Sequence, residues 1–170
     1  KYPVDTCWDL GIDDYTSVWF IQRLPTRINV IDFYETSDMG LQEIVSYGLR
    51  SKPYRYGMHY LAHDIKVREI GAGGRSRRET LHGLGVRPIR TGVPRDPEER
   101  VAATRKMIPI THFNSEKCAV GLEHLEQYAK RWNASLGVYT GPRHDEHSHA
   151  ADAFGEYAVN ARLPEPRAPV

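Results

Sequence analysis

The sequence predicts an α/β fold in which helices flank a mixed sheet, built from an antiparallel three-strand meander and additional parallel strands. Three strand-like runs, rich in aliphatic and aromatic residues, follow one another at 4–10, 16–24 and 27–36. Pro25 and Thr26 separate the last two runs in the manner of a hairpin turn. A helix-like stretch and a fourth strand come next, and a strand–helix–strand connection favours parallel pairing.

The helix after the meander is predicted to span about three turns and to close near Lys52-Pro53. Ser37 and Asp38 can cap its N-terminus, and apolar residues recur at helical spacing at Leu41, Ile44, Val45 and Leu49. The fourth strand is predicted at 57–62, directly before His63 and Asp64.

Four further helices are predicted in the second half of the chain. The one at 96–107 has Asp96 as its cap and Pro97 in its first turn, and the one at 115–132 has Ser115 as its cap. The remaining elements are helices at 76–84 and 148–159 and a short strand at 86–89.

Composition narrows the class of protein. A chain of 170 residues, 40% of them hydrophobic, can bury one core, and we expect one domain over residues 1–162 with a disordered, Pro-rich tail over 163–170. Cys7 and Cys118 form neither a CxxC pair nor a disulfide framework, which favours a reducing compartment. The net charge of +1 excludes no partner. The absence of an apolar run of about 18 residues argues against a membrane span.

Three carboxylates stand at the ends of predicted elements. Asp9 ends the first strand, Asp64 follows the fourth, and Asp152 lies in the first turns of the last helix. Asp9 and Asp64 converge at one sheet edge if their strands are neighbours. Clustered carboxylates repel one another, and hard divalent cations such as Mg²⁺ or Mn²⁺ remove that conflict and can activate water against a phosphodiester. Aspartates at such positions also arise for purely local reasons, so the spacing alone leaves both interpretations open.

Three segments resemble a known family. Residues 7–14 contain Asp-x-Gly followed by a second Asp, residues 60–64 end in His-Asp, and residues 143–154 contain Ser-His-x-x-Asp-Ala-Phe. In this order they resemble the motifs of the nuclease domain of the large terminase subunit of tailed phages. The sequence departs from that pattern at Ala62, where proline is commoner, and at Gly155-Glu156, where the family often has an Arg.

The resemblance implies an RNase H-like fold and a two-metal DNA endonuclease. Asp9, Asp64 and Asp152 would be the catalytic, metal-binding triad for two Mg²⁺ or Mn²⁺ ions, with Asp145 as a further candidate ligand. The residues placed around the ligands are Asp14, His149 and His63. We expect His149, three residues before Asp152, to orient the Asp152 carboxylate.

The resemblance also implies partners outside the chain. The substrate would be double-stranded viral DNA in concatemers, cut to 5′-phosphate and 3′-hydroxyl ends during genome packaging. The parent protein would carry an ATPase motor domain, would work with a portal and a small terminase subunit, and would act in the cytoplasm of the infected bacterial host. No GxxxxGK[ST] motif occurs here, so we expect this segment itself not to hydrolyse ATP.

A basic stretch follows Asp64. Eight Lys or Arg residues and two Glu lie between Lys66 and Arg95. Those beside a glycine-rich loop can bind phosphates without reading sequence, and the predicted DNA-binding residues are Lys66, Arg68, Arg75, Arg77 and Arg78. The competing interpretation is a solvated basic surface.

Rival functions remain open on sequence alone. His144, His147 and His149 lie near Asp145 and suggest a zinc or iron hydrolase, although the HxxxH and HxxxE spacings of familiar zinc enzymes are missing. Two further functions fit the sequence. One is a different RNase H-like nuclease, such as a junction resolvase or an enzyme cutting RNA–DNA hybrids, and the second is a non-catalytic DNA-binding or assembly module.

Overall fold

The protein is described from a computed structural model, which covers residues 2–11, 14–67 and 73–162. One mixed sheet has the strand order β5-β4-β1-β2-β3-β6. Its strands are β1 (Val4–Asp9), β2 (Thr16–Arg23), β3 (Ile28–Thr36), β4 (Tyr56–Leu61), β5 (Ile89–Thr91) and β6 (Thr111–Phe113). The first three form an antiparallel meander, and β4, β5 and β6 pair in parallel with β1, β4 and β3. The predicted mixed sheet is confirmed.

Helices cover both faces of this sheet. They are α1 (Leu41–Glu43), which continues as a π-helical segment (Ile44–Arg50), α2 (Arg77–Gly83), α3 (Pro97–Met107), α4 (Ala119–Gln127) and α5 (Ser148–Asn160). Short 3₁₀ turns occupy His63–Lys66 and Ile108–Ile110, and a separate hairpin is formed by β7 (Lys130–Asn133) and β8 (Val138–Pro142). Within the described residues, no helix combines the length and the apolar character that crossing a bilayer requires.

Two apolar layers hold the helices on the sheet. Alternate strand residues point to opposite faces, so Trp19 packs in the layer under α5 with Phe154, while Phe20 packs in the layer on the α1 side with Leu49. Because both faces of the sheet are buried, β2 has a continuous apolar run over 18–21 instead of strict alternation. Trp19 also donates a hydrogen bond from Nε1 to the carbonyl oxygen of Ala150 (2.8 Å), which fixes the start of α5 against the sheet.

Several predicted helix boundaries are confirmed. Asp96 caps α3 by accepting a hydrogen bond from the Glu98 backbone N–H (2.8 Å), with Pro97 in the first turn. Ser76 caps α2 and accepts from the Glu79 N–H. The last predicted helix corresponds to α5.

Other boundaries are wrong. The first helix begins at Leu41 after Gly40, and Asp38 has a positive φ of 57° instead of serving as a cap. The predicted helix at 115–132 is too long, because α4 begins at Ala119 and ends at Gln127.

The residues after α4 form a hairpin that the sequence pattern did not predict. Trp132 continues the apolar helical spacing of the preceding segment, but it stacks edge-on against Tyr139 on β8 (ring centroids 5.0 Å apart) and is 53% exposed. The short strand predicted at 86–89 begins instead at Ile89, and β6 was not predicted. The expected disorder of 163–170 concerns residues outside the described part of the chain.

Candidate active site

The first two predicted acids lie at the same edge of the sheet. Asp9 is the last residue of β1, and Trp8 is paired with Leu61 on the parallel neighbour β4. Asp64 follows three residues after Leu61, in the exposed 3₁₀ turn. Adjacent parallel strands therefore bring both acids to their C-terminal edge, as expected from the sheet order.

The third acid, Asp152, is carried to this edge by α5. Burial is the main cause that raises the pKa of Asp152. The Arg100 guanidinium lowers this pKa, and the negative charge of Asp9 raises it, so the charges of Asp9 and Asp152 interact. Asp9 and Asp152 are each about one-quarter exposed, so both stay accessible to a solute.

His149 joins two acids of the edge. Its Nδ1 lies 2.8 Å from Asp9 Oδ2, and its Nε2 lies 2.8 Å from Asp14 Oδ2. We expected His149 to orient Asp152, but its two ring nitrogens instead lie against Asp9 and Asp14. The hydrogen bond to Asp9 is the main cause that raises the pKa of His149 to about 9, so the imidazole is a cation at neutral pH.

The loop after β1 is shaped by Gly11. A Cβ at this position would lie 2.5 Å from the carbonyl oxygen of Tyr15, so only glycine allows the backbone to turn this closely. Asp14 lies beside His149, and the backbone N–H of Tyr15 donates to Asp14 Oδ1 (2.9 Å). The hydrogen bond from the Tyr15 N–H and the close contact with the His149 ring lower the pKa of Asp14.

Arg100 and Glu156 belong to this site, although neither was predicted from the sequence. Arg100 Nη2 lies 3.1 Å from Asp152 Oδ1, and Arg100 Nη1 lies 3.6 Å from Glu156 Oε1. The pKa of Glu156 is raised by burial first and also by the charges of Asp152 and Asp9. Glu156 stands four residues after Asp152 on one helical face, and this spacing was a signal available in the sequence.

The acids are not preassembled around a cation. Among the residues described, no three His, Cys, Asp or Glu side chains already lie close enough together to hold a metal ion. The cations His149 and Arg100 instead stand against Asp9 and Asp152, while Asp64 faces solvent.

Asp145 closes the turn before α5. Its Oδ1 accepts a hydrogen bond from the backbone N–H of His147 (3.1 Å), and its Oδ2 lies 3.2 Å from Arg143 Nε. Its carbonyl oxygen accepts from the Ser148 hydroxyl (2.7 Å). These contacts give Asp145 a local structural role, and its role as a metal ligand stays a prediction.

The neighbouring histidines have separate partners. His144 Nδ1 contacts the Ser148 hydroxyl (3.2 Å), and His147 Nδ1 contacts His124 Nδ1 (2.9 Å). His124 Nε2 in turn lies 3.0 Å from Glu35 Oε2. In the described structure these histidines do not surround a common point with Asp145, which gives the zinc or iron interpretation no support. His63 is exposed, and its charge acts on Glu156.

Three of the predicted DNA-binding residues line surface cavities near the segments that carry Asp64 and Asp9. Lys66 and Arg78 line one surface cavity of about 540 Å³. Arg77 lines another, of about 220 Å³, that also includes Gly11. Arg75 is exposed, and Arg68 lies outside the described residues.

Comparison with known proteins identifies the fold. No protein-family model and no curated protein matches the sequence. The large terminase of a thermophilic bacteriophage, solved in complex with ADP, matches 95% of this chain and 40% of its own, with a TM-score of 0.69 at 11% identity. The chain thus spans about 40% of that protein's length.

Isolated nuclease domains match over most of their own length. The g2p large terminase nuclease domain of bacteriophage SPP1 with bound Mn matches with a TM-score of 0.65 and 14% identity, over 93% of this chain and 86% of that one. The large terminase nuclease of the thermophilic phage G20c with bound magnesium matches with a TM-score of 0.58 and 15% identity, over 91% and 81%. The chain therefore has the RNase H-like fold of phage large terminase nuclease domains.

Proposed function

We propose that this chain is a divalent-metal-dependent endonuclease domain of a phage large terminase, with double-stranded DNA as its substrate. The observation that carries the proposal is that Asp9, at the end of β1, contacts His149 on α5 and raises by its charge the pKa of Asp152 one turn further along that helix, with Asp64 after the adjacent strand. Two cationic side chains offset their repulsion. The matched nuclease domains with bound Mn and magnesium support the same chemistry.

The donor atoms fit Mg²⁺ or Mn²⁺. Asp9, Asp64 and Asp152 offer hard carboxylate oxygens, and the described atoms leave Asp9 Oδ1 and Asp152 Oδ2 without a protein partner. Burial and the charge of Asp9 raise the pKa of Asp152, and a bound cation would stabilise the ionised carboxylate against both effects. We assign two ions to the site.

The chain's own residues orient the ligands and bind the substrate. Protonated His149 holds one oxygen of Asp9 and leaves the other free, while Arg100 offsets the negative charge of Asp152. Lys66 and Arg78 bind DNA phosphates beside the acids. Bound divalent ions would supply an activated water and stabilise the leaving oxygen. Water adds to phosphorus as the P–O3′ bond breaks, which gives 5′-phosphate and 3′-hydroxyl ends.

The matched large terminases support a proposal about the biological setting. One matched large terminase was solved in complex with ADP, and this chain corresponds to about 40% of it. We therefore propose that the full protein also carries an ATPase motor. The resemblance of its motifs to those of large terminases suggests a portal and a small subunit as partners. It would cut concatemeric viral DNA in the cytoplasm of the infected bacterium.

Plasmid cleavage tests the proposal. The wild-type chain should nick and linearise supercoiled DNA with Mn²⁺ but not with EDTA, and Asp64→Asn should lose this activity. Equal cleavage by the two proteins would refute the metal site, and no cleavage by either would favour a DNA-binding module.

Substrate competition separates the nuclease rivals. Plain duplex should be cut at least as fast as a four-way junction or an RNA–DNA hybrid of the same sequence. A strong preference for the junction would instead identify a resolvase. Loss of activity in His144→Ala and His147→Ala, with Asp9→Asn active, would identify a histidine-based hydrolase.

A further inference from the structure

Glu156 is a buried carboxylate to which the proposed reaction assigns no task. Its side chain is only 5% exposed, and its Oε2 accepts a hydrogen bond from Asn160 Nδ2 (3.0 Å). A Cβ on Gly92 would lie 2.5 Å from the same oxygen, so the glycine provides the space that the carboxylate fills. Burying a carboxylate is costly unless a cation accompanies it, and the cation here is Arg100.

Arg100 contacts two acids through its two terminal nitrogens. Nη2 lies 3.1 Å from Asp152 Oδ1, and Nη1 lies 3.6 Å from Glu156 Oε1. The remaining nitrogen, Nε, is buried without a hydrogen-bond partner in the described structure. The planar fork of arginine can meet two carboxylates spaced one helical turn apart, which the point charge of lysine cannot do as well.

One positive charge is thus divided between two negative ones. If Glu156 were neutral, Arg100 would be left with Asp152 alone, and an incoming cation would have to displace that ion pair. With Glu156 ionised, the three groups keep a net negative charge that attracts a cation.

We propose that Glu156 is a positioning residue that shares the Arg100 guanidinium with Asp152 and thereby keeps the Asp152 carboxylate available to a divalent cation. This inference rests on the proposed function, because it takes Asp152 to be a metal ligand. It goes beyond that function by giving an acid outside the triad control over metal affinity.

Mn²⁺ binding without DNA tests the inference. Free Mn²⁺ is measured by electron paramagnetic resonance during titration of the whole chain. Glu156→Gln should bind Mn²⁺ about tenfold more weakly than wild type. Arg100→Gln should bind at least as tightly as wild type, and the double variant should regain the affinity that Glu156→Gln loses. The exposed Glu123→Gln on α4 is the matched control and should not differ from wild type.

The double variant separates charge sharing from a merely structural role. Thermal unfolding in EDTA records the stability of each variant, and weaker Mn²⁺ binding is attributed to charge sharing only where the variant stays folded at the temperature of the titration. The inference is overturned if Glu156→Gln binds Mn²⁺ like wild type, or if the double variant binds as weakly as Glu156→Gln. If Glu156→Gln does not fold, Arg100→Gln decides, and weaker Mn²⁺ binding by that variant overturns the inference.

The Asp152→Asn variant distinguishes the two levels of proposal. If wild type and Asp152→Asn bind Mn²⁺ equally, the proposed metal site fails and the inference falls with it. If Asp152→Asn loses binding while Glu156→Gln keeps it, only the sharing of Arg100 fails.

Discussion

Two carboxylates of the protein, Asp32 and Asp152, are held in opposite ways. Asp32 on β3 accepts three hydrogen bonds: from the Phe33 backbone N–H (2.9 Å), the Lys52 ammonium (2.6 Å) and the Tyr54 hydroxyl (3.0 Å). Asp152 on α5 has one ion-pair partner in the described structure, Arg100, which it shares with another acid. The Asp32 side chain is 9% exposed and that of Asp152 is 25% exposed, so the two acids differ in solvent access as well as in their partners.

The difference indicates which acid is structural and which is available for chemistry. Both oxygens of Asp32 are bonded, so a cation would have to replace protein contacts of equal strength. Asp152 keeps Oδ2 without a protein partner among the described atoms, near the negative charge of Asp9. An incompletely satisfied carboxylate close to a second one is the kind of site that a divalent cation completes.

The largest expected effect follows from neutralising the incompletely satisfied acid. Asp152→Asn should reduce Mn²⁺-dependent cleavage of plasmid DNA by about a thousandfold or more, which corresponds to about 4 kcal/mol in the barrier. Initial rates at saturating Mn²⁺ measure this. Asp32→Asn is the matched control, and a comparable loss of cleavage in that folded variant would remove the contrast between the two acids.

For stability, we expect the larger effect from the Asp32 variant. Asp32→Asn should lower the free energy of unfolding by about 2 kcal/mol, because the Lys52 ammonium loses its buried partner. Asp152→Asn should change it far less. Urea denaturation in EDTA compares the three proteins. A larger loss in Asp152→Asn than in Asp32→Asn would contradict our assignment of roles.

The charge of His149 makes the stability of the site depend on pH. Hydrogen bonding to Asp9 raises the pKa of His149 from 6.5 to about 9, so its stabilisation is fully present below pH 6.5 and is lost as the pH rises to about 9. We expect the free energy of unfolding to fall by about 2 kcal/mol as the pH rises from 6.5 to about 9. This figure allows for solvent screening at the partly exposed acids. Denaturation of metal-free wild type at several pH values measures it.

His149→Gln is the control for that titration. Its unfolding free energy should vary much less between pH 6.5 and 9 than that of wild type. An identical slope in both proteins would show that other groups cause the pH dependence.

The smallest effect concerns DNA binding beside the site. Arg78→Ala should weaken duplex binding about fivefold, or about 1 kcal/mol, at any sequence and reduce the slope of log K against log salt by about 1. Fluorescence anisotropy at several salt concentrations measures both. Arg27→Ala, in the turn at the opposite end of the β2–β3 hairpin, should leave both quantities unchanged. Equal losses in the two variants would indicate nonspecific attraction.

Much of the fold was predictable because its signals are local. The meander was predicted from three consecutive runs rich in apolar residues, and α3 begins where Asp96 and Pro97 predict. The β7–β8 hairpin was missed because Trp132 continues a helical spacing while it is exposed on a strand. Apolar periodicity predicts burial, and it misleads where a large apolar side chain is not buried.

Less of the site could be predicted, because its contacts join distant segments. The positions of Asp9 and Asp64 follow from strand ends, but the pairing of His149 with Asp9 depends on how α5 crosses the sheet. The contact of Arg100 with Asp152 joins residues 52 positions apart. Neither contact has a spacing signature in the sequence.

A crystal soaked in Mn²⁺ tests the central claim most directly. Anomalous scattering should place manganese between the carboxylates of Asp9 and Asp152, with Asp64 turned inward from solvent to join them. Manganese bound instead at His124 and His147, or a fully soaked crystal with none near Asp9, would contradict the account.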